Sequence, residues 1–290
     1  MSYSFEGKVA IVTGAGGGLG RCHALELAKR GARVVVNDLG GAMDGTGGSS
    51  DAAMAVVEEI KAAGGEAIAN GGSVSDRLGA RSMVKDAMNA WGRVDVLINN
   101  AGILRDKSFS KMELDDFQLV LDVHLMGSVN VTKEVWPIMR EQNYGRIVMT
   151  TSPSGLYGNF GQTNYGAAKL GLVGFMNTLK IEGAKNNIHT NAIAPVAATR
   201  MTADLIPEQA QKALGPELVT PAVVYLCTDD APNGVIIQAQ GGRFSIACVV
   251  ENQGVDLGAD ATVEDVAAHY GEISDLTGAK PRGMLQLNQV

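Results

Sequence analysis

The sequence predicts a three-layer α/β fold, a doubly wound parallel sheet of about seven strands covered by helices on both faces. Three observations carry this. Short apolar runs rich in β-branched residues alternate with helical patterns from Lys8 to about Thr228. The first run, Lys8-Val9-Ala10-Ile11-Val12, opens into a glycine turn that is followed at once by a helical pattern. The chain has 290 residues, 46% of them hydrophobic, which suits one large α/β domain with a substantial core.

Strands are expected at Val9–Val12, Arg33–Asn37, Glu66–Ala69, Val94–Asn99, Arg146–Thr151, Thr190–Ala194 and Val235–Ala239. Helices are expected between them, at Cys22–Lys29, Ser50–Ala63, Gly79–Trp91, Leu114–Met139, Tyr165–Lys185 and Thr220–Thr228. Ligands of such sheets bind at the carboxyl ends of the strands. The glycine-rich stretch 40–50 reads as a mobile flap near a bound adenosine. Within Thr199–Leu218, the residues Met201, Leu205, Ile206, Ala210, Ala213 and Leu214 share an apolar helical face. Two readings stand for it, a helix packed on the core and a lid over a greasy substrate. Residues 243–290 read as a C-terminal extension that closes the pocket or contributes to a subunit contact, with a strand-like piece at Phe244–Val250 and a helix-like one at Thr262–Ile273.

The turn Thr13-Gly14-Ala15-Gly16-Gly17-Gly18-Leu19-Gly20 lies between strand and helix, the setting a phosphate-cradling loop requires. This makes the expected fold Rossmann-like. Gly14 permits the tight turn, and Gly18 and Gly20 let backbone and helix approach a pyrophosphate. Asp38 ends the second strand eighteen residues past Gly20, close to the spacing of about twenty expected of a ribose-binding acid. A carboxylate there accepts bonds from both ribose hydroxyls and repels a 2′-phosphate, so NAD is favoured over NADP. The alternative for Asp38 is a strand-end turn residue, given Leu39-Gly40-Gly41 after it.

Tyr165 and Lys169 lie four residues apart, on one face of a helix, and Ser152 lies thirteen residues upstream of the tyrosine. A lysine charge about 4 Å from the phenol is worth about 4 kcal/mol at an effective dielectric of about 20. That lowers a tyrosine pKa of about 10 by about three units. A tyrosine so placed exchanges protons with an alcohol oxygen near neutral pH.

Other classes find less support. A net charge of −7 argues against a general nucleic-acid surface. No apolar run approaches membrane-spanning length and Met1–Ser4 shows no leader, so a cytoplasmic location is expected. Cys22, Cys227 and Cys248 are far apart and read as reduced packing residues, and no metal-ligand spacing is present.

The motifs Thr13-Gly-x-x-x-Gly-x-Gly20, Asn99-Asn100-Ala101-Gly102, Ser152 and Tyr165-x-x-x-Lys169 occur in this order and together resemble the short-chain dehydrogenase/reductase family. The resemblance covers nearly all of Lys8 to Gly242, expected as one dinucleotide-binding and catalytic domain, 1–242. Within the family the runs 35–41, 100–106 and 157–162 resemble the (3R)-hydroxyacyl-CoA dehydrogenases. The resemblance implies Tyr165 as proton donor or acceptor, Lys169 lowering its pKa and holding the nicotinamide ribose, and Ser152 on the substrate oxygen. It places Asn100, Ala101 and Gly102 at the cofactor ribose, Ser73 and Val74 at the adenine, and Pro195, Val196, Ala197 and Thr199 at the nicotinamide. It also implies a homodimer or homotetramer. Two positions depart from the family pattern: His124 stands where asparagine is common in a proton path, and Val196 follows Pro195 where glycine is usual. His124 reads equally as a relay and as a packed core histidine. Ser154 is the second candidate for the serine role.

The expected reaction interconverts a secondary alcohol and a ketone, with a (3R)-hydroxyacyl-CoA or a related bulky or steroid substrate. Arg105, Lys107 and Lys111 would either meet CoA phosphates or form an exposed basic patch. The alternatives are an NADPH-dependent 3-oxoacyl carrier-protein reductase and, from another class, a non-catalytic dinucleotide sensor.

Overall fold

Runs such as Val9-Ala10-Ile11-Val12 and Val34-Val35-Val36 are stiff at χ1 and apolar on both sides, so they are stable only as strands covered on both faces. The computed structural model describes residues 3–49, 51–199 and 211–281. It builds those runs into β1 (Val9–Thr13), β2 (Arg33–Asn37), β3 (Glu66–Asn70), β4 (Val96–Asn99), β5 (Gly145–Thr150), β6 (Ile188–Val196), β7 (Ile236–Gln240) and β8 (Arg243–Ala247). All residues of β1, β4 and β5 are buried. The sheet order is β3-β2-β1-β4-β5-β6-β7-β8. Every neighbouring pair from β3 to β7 is parallel. The sequence-based count of seven therefore becomes eight. The added strand follows Gly241 and Gly242, whose φ values of 53° and 80° suit a two-residue hairpin.

The order reverses at β1, which lies between β2 and β4. At such a switch point the loops leaving the two neighbouring strands diverge and open a crevice at the carboxyl ends. The helices that flank it are α1 (Gly18–Lys29), α2 (Asp51–Ala62), α3 (Arg77–Trp91), α4 (Leu114–Leu121), α5 (Gly127–Gln142), α6 (Pro153–Tyr157), α7 (Thr163–Gly183) and α8 (Thr220–Tyr225). Along α7 the buried positions Ala168, Leu172, Val173, Met176 and Leu179 recur at helical spacing and pack one face inward.

The long helix expected over Leu114–Met139 is interrupted. A π-helical turn, Asp122–Met126, separates α4 from α5, and α5 continues through Pro137 to Gln142. The extra residue in that turn rotates His124 into the interior. The short helix α6 was not expected, although Ser152-Pro153 is a start signature: proline at N1 after a capping serine. Strand β6 runs two residues beyond the expected Ala194, because Val196 extends a strand where glycine would end one.

At the opposite end of the sheet Arg146 is fully buried without a carboxylate partner. Its guanidinium donates to the carbonyls of Thr228, Gly145 and Asn187, each at 2.8 Å, and lies 4.4 Å from the Tyr144 ring. Of the cysteines, Cys227 is buried and Cys22 half-buried, but Cys248 is exposed and packs nothing. Among the described residues no helix is long and apolar enough to cross a membrane.

By its contacts the chain divides into Met1–Ile246 and Ala247–Val290. In the second unit β9 (Val250–Glu251) pairs antiparallel with β10 (Lys280–Pro281). Its helices α9 (Val263–Ala268) and α10 (Tyr270–Ile273) follow a capping box made by Thr262 and Asp265. The expected helical face at 199–218 falls mostly outside the described residues; the described part forms two 3₁₀ turns, Lys212–Leu214 and Pro216–Leu218.

Candidate active site

Thr13 ends β1 with its hydroxyl accepting from the Asn100 and Ala101 N–H groups, at 3.0 and 3.1 Å. This ties the ends of β1 and β4 together across the switch point. The Asn100 amide adds bonds to the Thr13 and Gly14 carbonyls, at 2.9 and 3.0 Å. Gly14 has φ 62°, and a Cβ there would stand 2.8 Å from the Ala101 backbone, so only glycine fits. Gly20 is buried, and a Cβ there would lie 2.2 Å from the Gly14 carbonyl oxygen. It brings helix and turn together, and it is not itself among the residues that line the cleft. No side chain caps α1 at Gly17, so its first N–H groups are free donors.

These residues border a cleft of about 270 Å³. Gly14, Gly18, Leu19, Asp38, Ser73, Val74, Asn100, Ala101, Gly102 and Thr199 all line it. Pro195, Val196 and Ala197 are not among them; Pro195 and Val196 end β6 beside β7, and Ala197 follows the strand. Asp38 sits in the wall with both oxygens engaged, Oδ2 accepting from Gly16 N–H and Oδ1 from Gly40 N–H, each at 2.7 Å. The acid is thus both a turn residue and a cleft residue. The free N–H groups, the closely packed glycines and a carboxylate on the far wall fit a dinucleotide. A larger groove of about 610 Å³ lies elsewhere, between α1 and α8, where Arg21 pairs with Glu59 and Arg30 with Glu26.

The stretch 39–49 is not a free flap beside the adenosine side. Its residues Leu39, Gly41, Ala42, Met43 and Gly45 form part of the cleft wall. Its tip is bonded to the β4 side: Leu104 N–H donates to the Met43 carbonyl at 3.0 Å.

The proton-handling residues meet at the carboxyl end of β5. Ser152, 7% exposed, caps α6 by accepting from Ser154 N–H at 3.1 Å, and its side chain stands beside that of Tyr165, drawing the tyrosine's pKa down. The helix-cap reading of Ser152 is observed. Ser154 is not among the causes that set the tyrosine's acidity. Tyr165 packs against the cluster of Ile103, Val120 and Ala168; Ile103 lines the cleft, whereas Ser152, Tyr165 and Lys169 themselves are not among its lining residues. Lys169 is 3% exposed and its Nζ donates to the Thr150 carbonyl at 2.6 Å. That Nζ lies 5.4 Å from the centre of the Tyr165 ring.

Electrostatics here reverse the expected order. Burial holds Lys169 down to about 7. Tyr165 is pushed up to about 12, by burial first and then by the Asp106 charge, against the pull of the Ser152 side chain. The cation was expected to dominate. Desolvation of both groups outweighs it, and the ammonium is spent on a carbonyl instead of the phenol. Asp106 was not singled out for this site. Its carboxylate accepts from the Gln162 amide at 2.6 Å, and burial raises its own pKa.

His124, 2% exposed, stands edge-on to the Tyr165 ring, centres 5.2 Å apart. Its Nε2 lies 3.0 Å from the Ile103 N–H and 2.8 Å from the Ile103 carbonyl, while its buried Nδ1 has no partner. Burial, then the Lys169 charge, hold it well below the usual value, so the ring is neutral. A Cβ on Gly102 would meet the ring at 2.2 Å, so the glycine makes room for it. Of the three basic residues, Arg105 and Lys107 both pair with Asp116, at 3.1 and 3.3 Å, and Lys111 is exposed.

The model of the short chain dehydrogenase family matches residues 8–210. A protein of Mycobacterium tuberculosis named as a short-chain type dehydrogenase/reductase is 53% identical over 279 residues, covering 96% of this chain and 98% of its own. Peroxisomal multifunctional enzyme type 2 of Drosophila melanogaster is 49% identical over 286 residues, or 97% of this chain. The chain spans 47% of that enzyme, about half its length. The structure of the full-length Drosophila enzyme superposes with a TM-score of 0.81 over 97% of this chain and 48% of its own, at 42% identity. A 7α-hydroxysteroid dehydrogenase complexed with NADH and 7-oxo glycochenodeoxycholic acid gives a TM-score of 0.74 at 30% identity, over 82% of this chain and 95% of its own.

Proposed function

The chain belongs to the short chain dehydrogenase family of oxidoreductases, and from that premise we propose that it interconverts a secondary alcohol and a ketone with NAD, acting on (3R)-hydroxyacyl-CoA esters. The observation that carries the reading is that Ser152, Tyr165 and Lys169 gather at the carboxyl end of β5, with Tyr165 packed against Ile103, a residue of the glycine-lined cleft. When bound, the nicotinamide supplies the hydride chemistry, as acceptor or donor. The Tyr165 hydroxyl gives a proton to the ketone oxygen or takes one from the alcohol. The Ser152 hydroxyl donates to the same oxygen and holds it against the phenol. Lys169 keeps the end of β5 and α7 in register through Thr150 and lies beside the tyrosine. His124 packs under the tyrosine as a neutral ring, with one nitrogen left for a proton path.

The acyl-CoA substrate rests on the resemblance to the multifunctional enzymes, one of whose relatives is named a hydratase-dehydrogenase-epimerase. A turnover screen tests it: hydroxyacyl-CoA esters of graded length against steroid alcohols, each with NAD and NADP, followed at 340 nm. The expected result is NAD-linked oxidation of the acyl-CoA esters. NADPH-linked reduction of a 3-oxoacyl carrier protein alone would select the reductase, and silence with every alcohol would select a dinucleotide sensor.

NAD is favoured over NADP because Asp38 holds a carboxylate in the cleft wall, fixed by two backbone amides. Asp38→Ala is expected to weaken NADH binding at least tenfold and NADPH binding by much less, read by fluorescence titration. Equal losses for both would remove the discrimination argument. The exposed Leu170 and Ile181 on the outer face of α7 support a homodimer or homotetramer. The cytoplasmic location expected from composition stands against relatives named as peroxisomal, and imaging of the tagged full chain decides between them.

A further inference from the structure

Residues 39–49 leave β2 and return to the start of α2 as a closed excursion. Its base is tied by Ser49 N–H donating to the Leu39 carbonyl at 2.9 Å. Its tip is closed by Ala42 N–H on the Thr46 carbonyl, at 2.8 Å, and by the Asp44 carboxylate, which accepts from Thr46 N–H and its hydroxyl. Gly40, Gly45 and Gly47 have φ values of 69°, 87° and 74°, so the path depends on glycine. Held this way, the excursion behaves as a strap with a defined shape.

The strap crosses from the β2 side of the cleft to the β4 side and is fastened there. Arg105 Nε donates to the Asp44 carbonyl at 2.7 Å. The same guanidinium pairs through Nη1 with Asp116 of α4, at 3.1 Å, and its side chain is about three-quarters buried. A Cβ on Gly45 would lie 3.3 Å from the Ile103 side chain, so the tip rests directly on that wall. The wall is part of the proton-handling end: Ile103 bonds His124, and the Arg105 carbonyl accepts from Asn164, the neighbour of Tyr165, at 3.0 Å.

We propose that Arg105 is a positioning residue whose guanidinium latches the strap across the dinucleotide cleft, so that release of the cofactor requires the latch to open. The assignment rests on the reading of this cleft as the dinucleotide site. Strap residues make up one wall, so a ligand between Asp38 and Asn100 cannot leave past Met43 while the tip is fastened. The latch is a charge-assisted hydrogen bond, partly buried, and the charge makes it stronger than a neutral one.

The test uses the full chain and NADH as the probe. Arg105→Met keeps the stem of the side chain and removes the donor. It is expected to raise the Kd for NADH about tenfold and the dissociation rate at least as much in stopped flow. The KM for the dinucleotide follows, while the KM for the alcohol stays within about twofold. Gly45→Ala is the second variant, because it strains the tip at positive φ without touching Arg105. It is expected to move the same quantities, and the double variant to lose little more than the larger single loss, since both release one strap. If both variants bind and release NADH within twofold of the wild type, the latch is overturned while the cleft reading stands. If the wild type itself fails to bind NADH, the cleft reading falls and the latch with it.

Discussion

Replacing Tyr165 by Phe lowers turnover by about 10²–10⁴-fold, the usual worth of a positioned general acid or base, and leaves NADH binding within about twofold. The phenol stands beside the Ser152 side chain and packs against Ile103, a residue of the cleft wall. Phenylalanine keeps the ring that packs on His124 and Ile103, so the fold and the dinucleotide wall should survive. Only the transferable proton is lost. Retained turnover would remove Tyr165 from the mechanism altogether.

The acidity of the same hydroxyl predicts the pH profile. Burial, with the Asp106 charge, pushes Tyr165 up to about 12. The free enzyme therefore carries the protonated phenol through neutral and mildly alkaline pH. That form donates a proton, so kcat/KM for ketone reduction should show no alkaline loss from Tyr165 below about pH 10. Alcohol oxidation needs the ionised form, so its kcat/KM should climb with pH over the same range. Asp106→Asn removes a charge that raises the tyrosine and should move the oxidative limb to lower pH. A limb that stays in place would show that Asp106 does not act on Tyr165.

Replacing Lys169 by Met is expected to abolish turnover and at the same time stabilise the protein free of cofactor. The lysine is 3% exposed, and burial holds it at about 7 against an ordinary 10.5. In the unfolded chain it stays protonated up to about 10.5. Between about pH 7 and 10.5 the unfolded state therefore binds more protons, and stability rises with pH across that window. Below about 7 the folded protein carries the whole cost of a buried ammonium. The span of the shift bounds that cost at about 5 kcal/mol, and removing a buried charge in favour of an apolar chain of similar volume typically returns about 1–4 kcal/mol. Urea unfolding at pH 6 should show the variant more stable by about that amount, with the gap closing toward pH 10. A variant less stable than the wild type at pH 6 would mean that the bond to Thr150 outweighs burial.

This cost has a functional reading. An ammonium kept beside the phenol at the expense of stability is typical of groups retained for chemistry and not for folding.

Much of this protein was legible along the chain. The β-branched runs, the helical spacings, the glycine turn after β1 and the placement of Tyr165 and Lys169 on one helix face all follow from distances along a single element. Such features are set by the periods of strand and helix, so the sequence by itself determined the sheet, the cleft at its switch point and the placing of Tyr165 and Lys169 on one helix. What it could not supply are quantities that sum over neighbours far apart in the chain. Desolvation of Tyr165 depends on Ile103, Val120 and Ala168 packing against it, and it outweighs the expected effect of the cation. The inward turn of His124 depends on a π-helical residue that leaves no compositional mark. The glycine-rich excursion looked free because its fastening, Arg105 on Asp44 and Leu104 on Met43, lies sixty-one residues away in sequence and under 3.1 Å away in space. Local spacing names the groups; only the packed interior sets their charges and the contacts of the cleft wall, because both depend on which side chains meet in space.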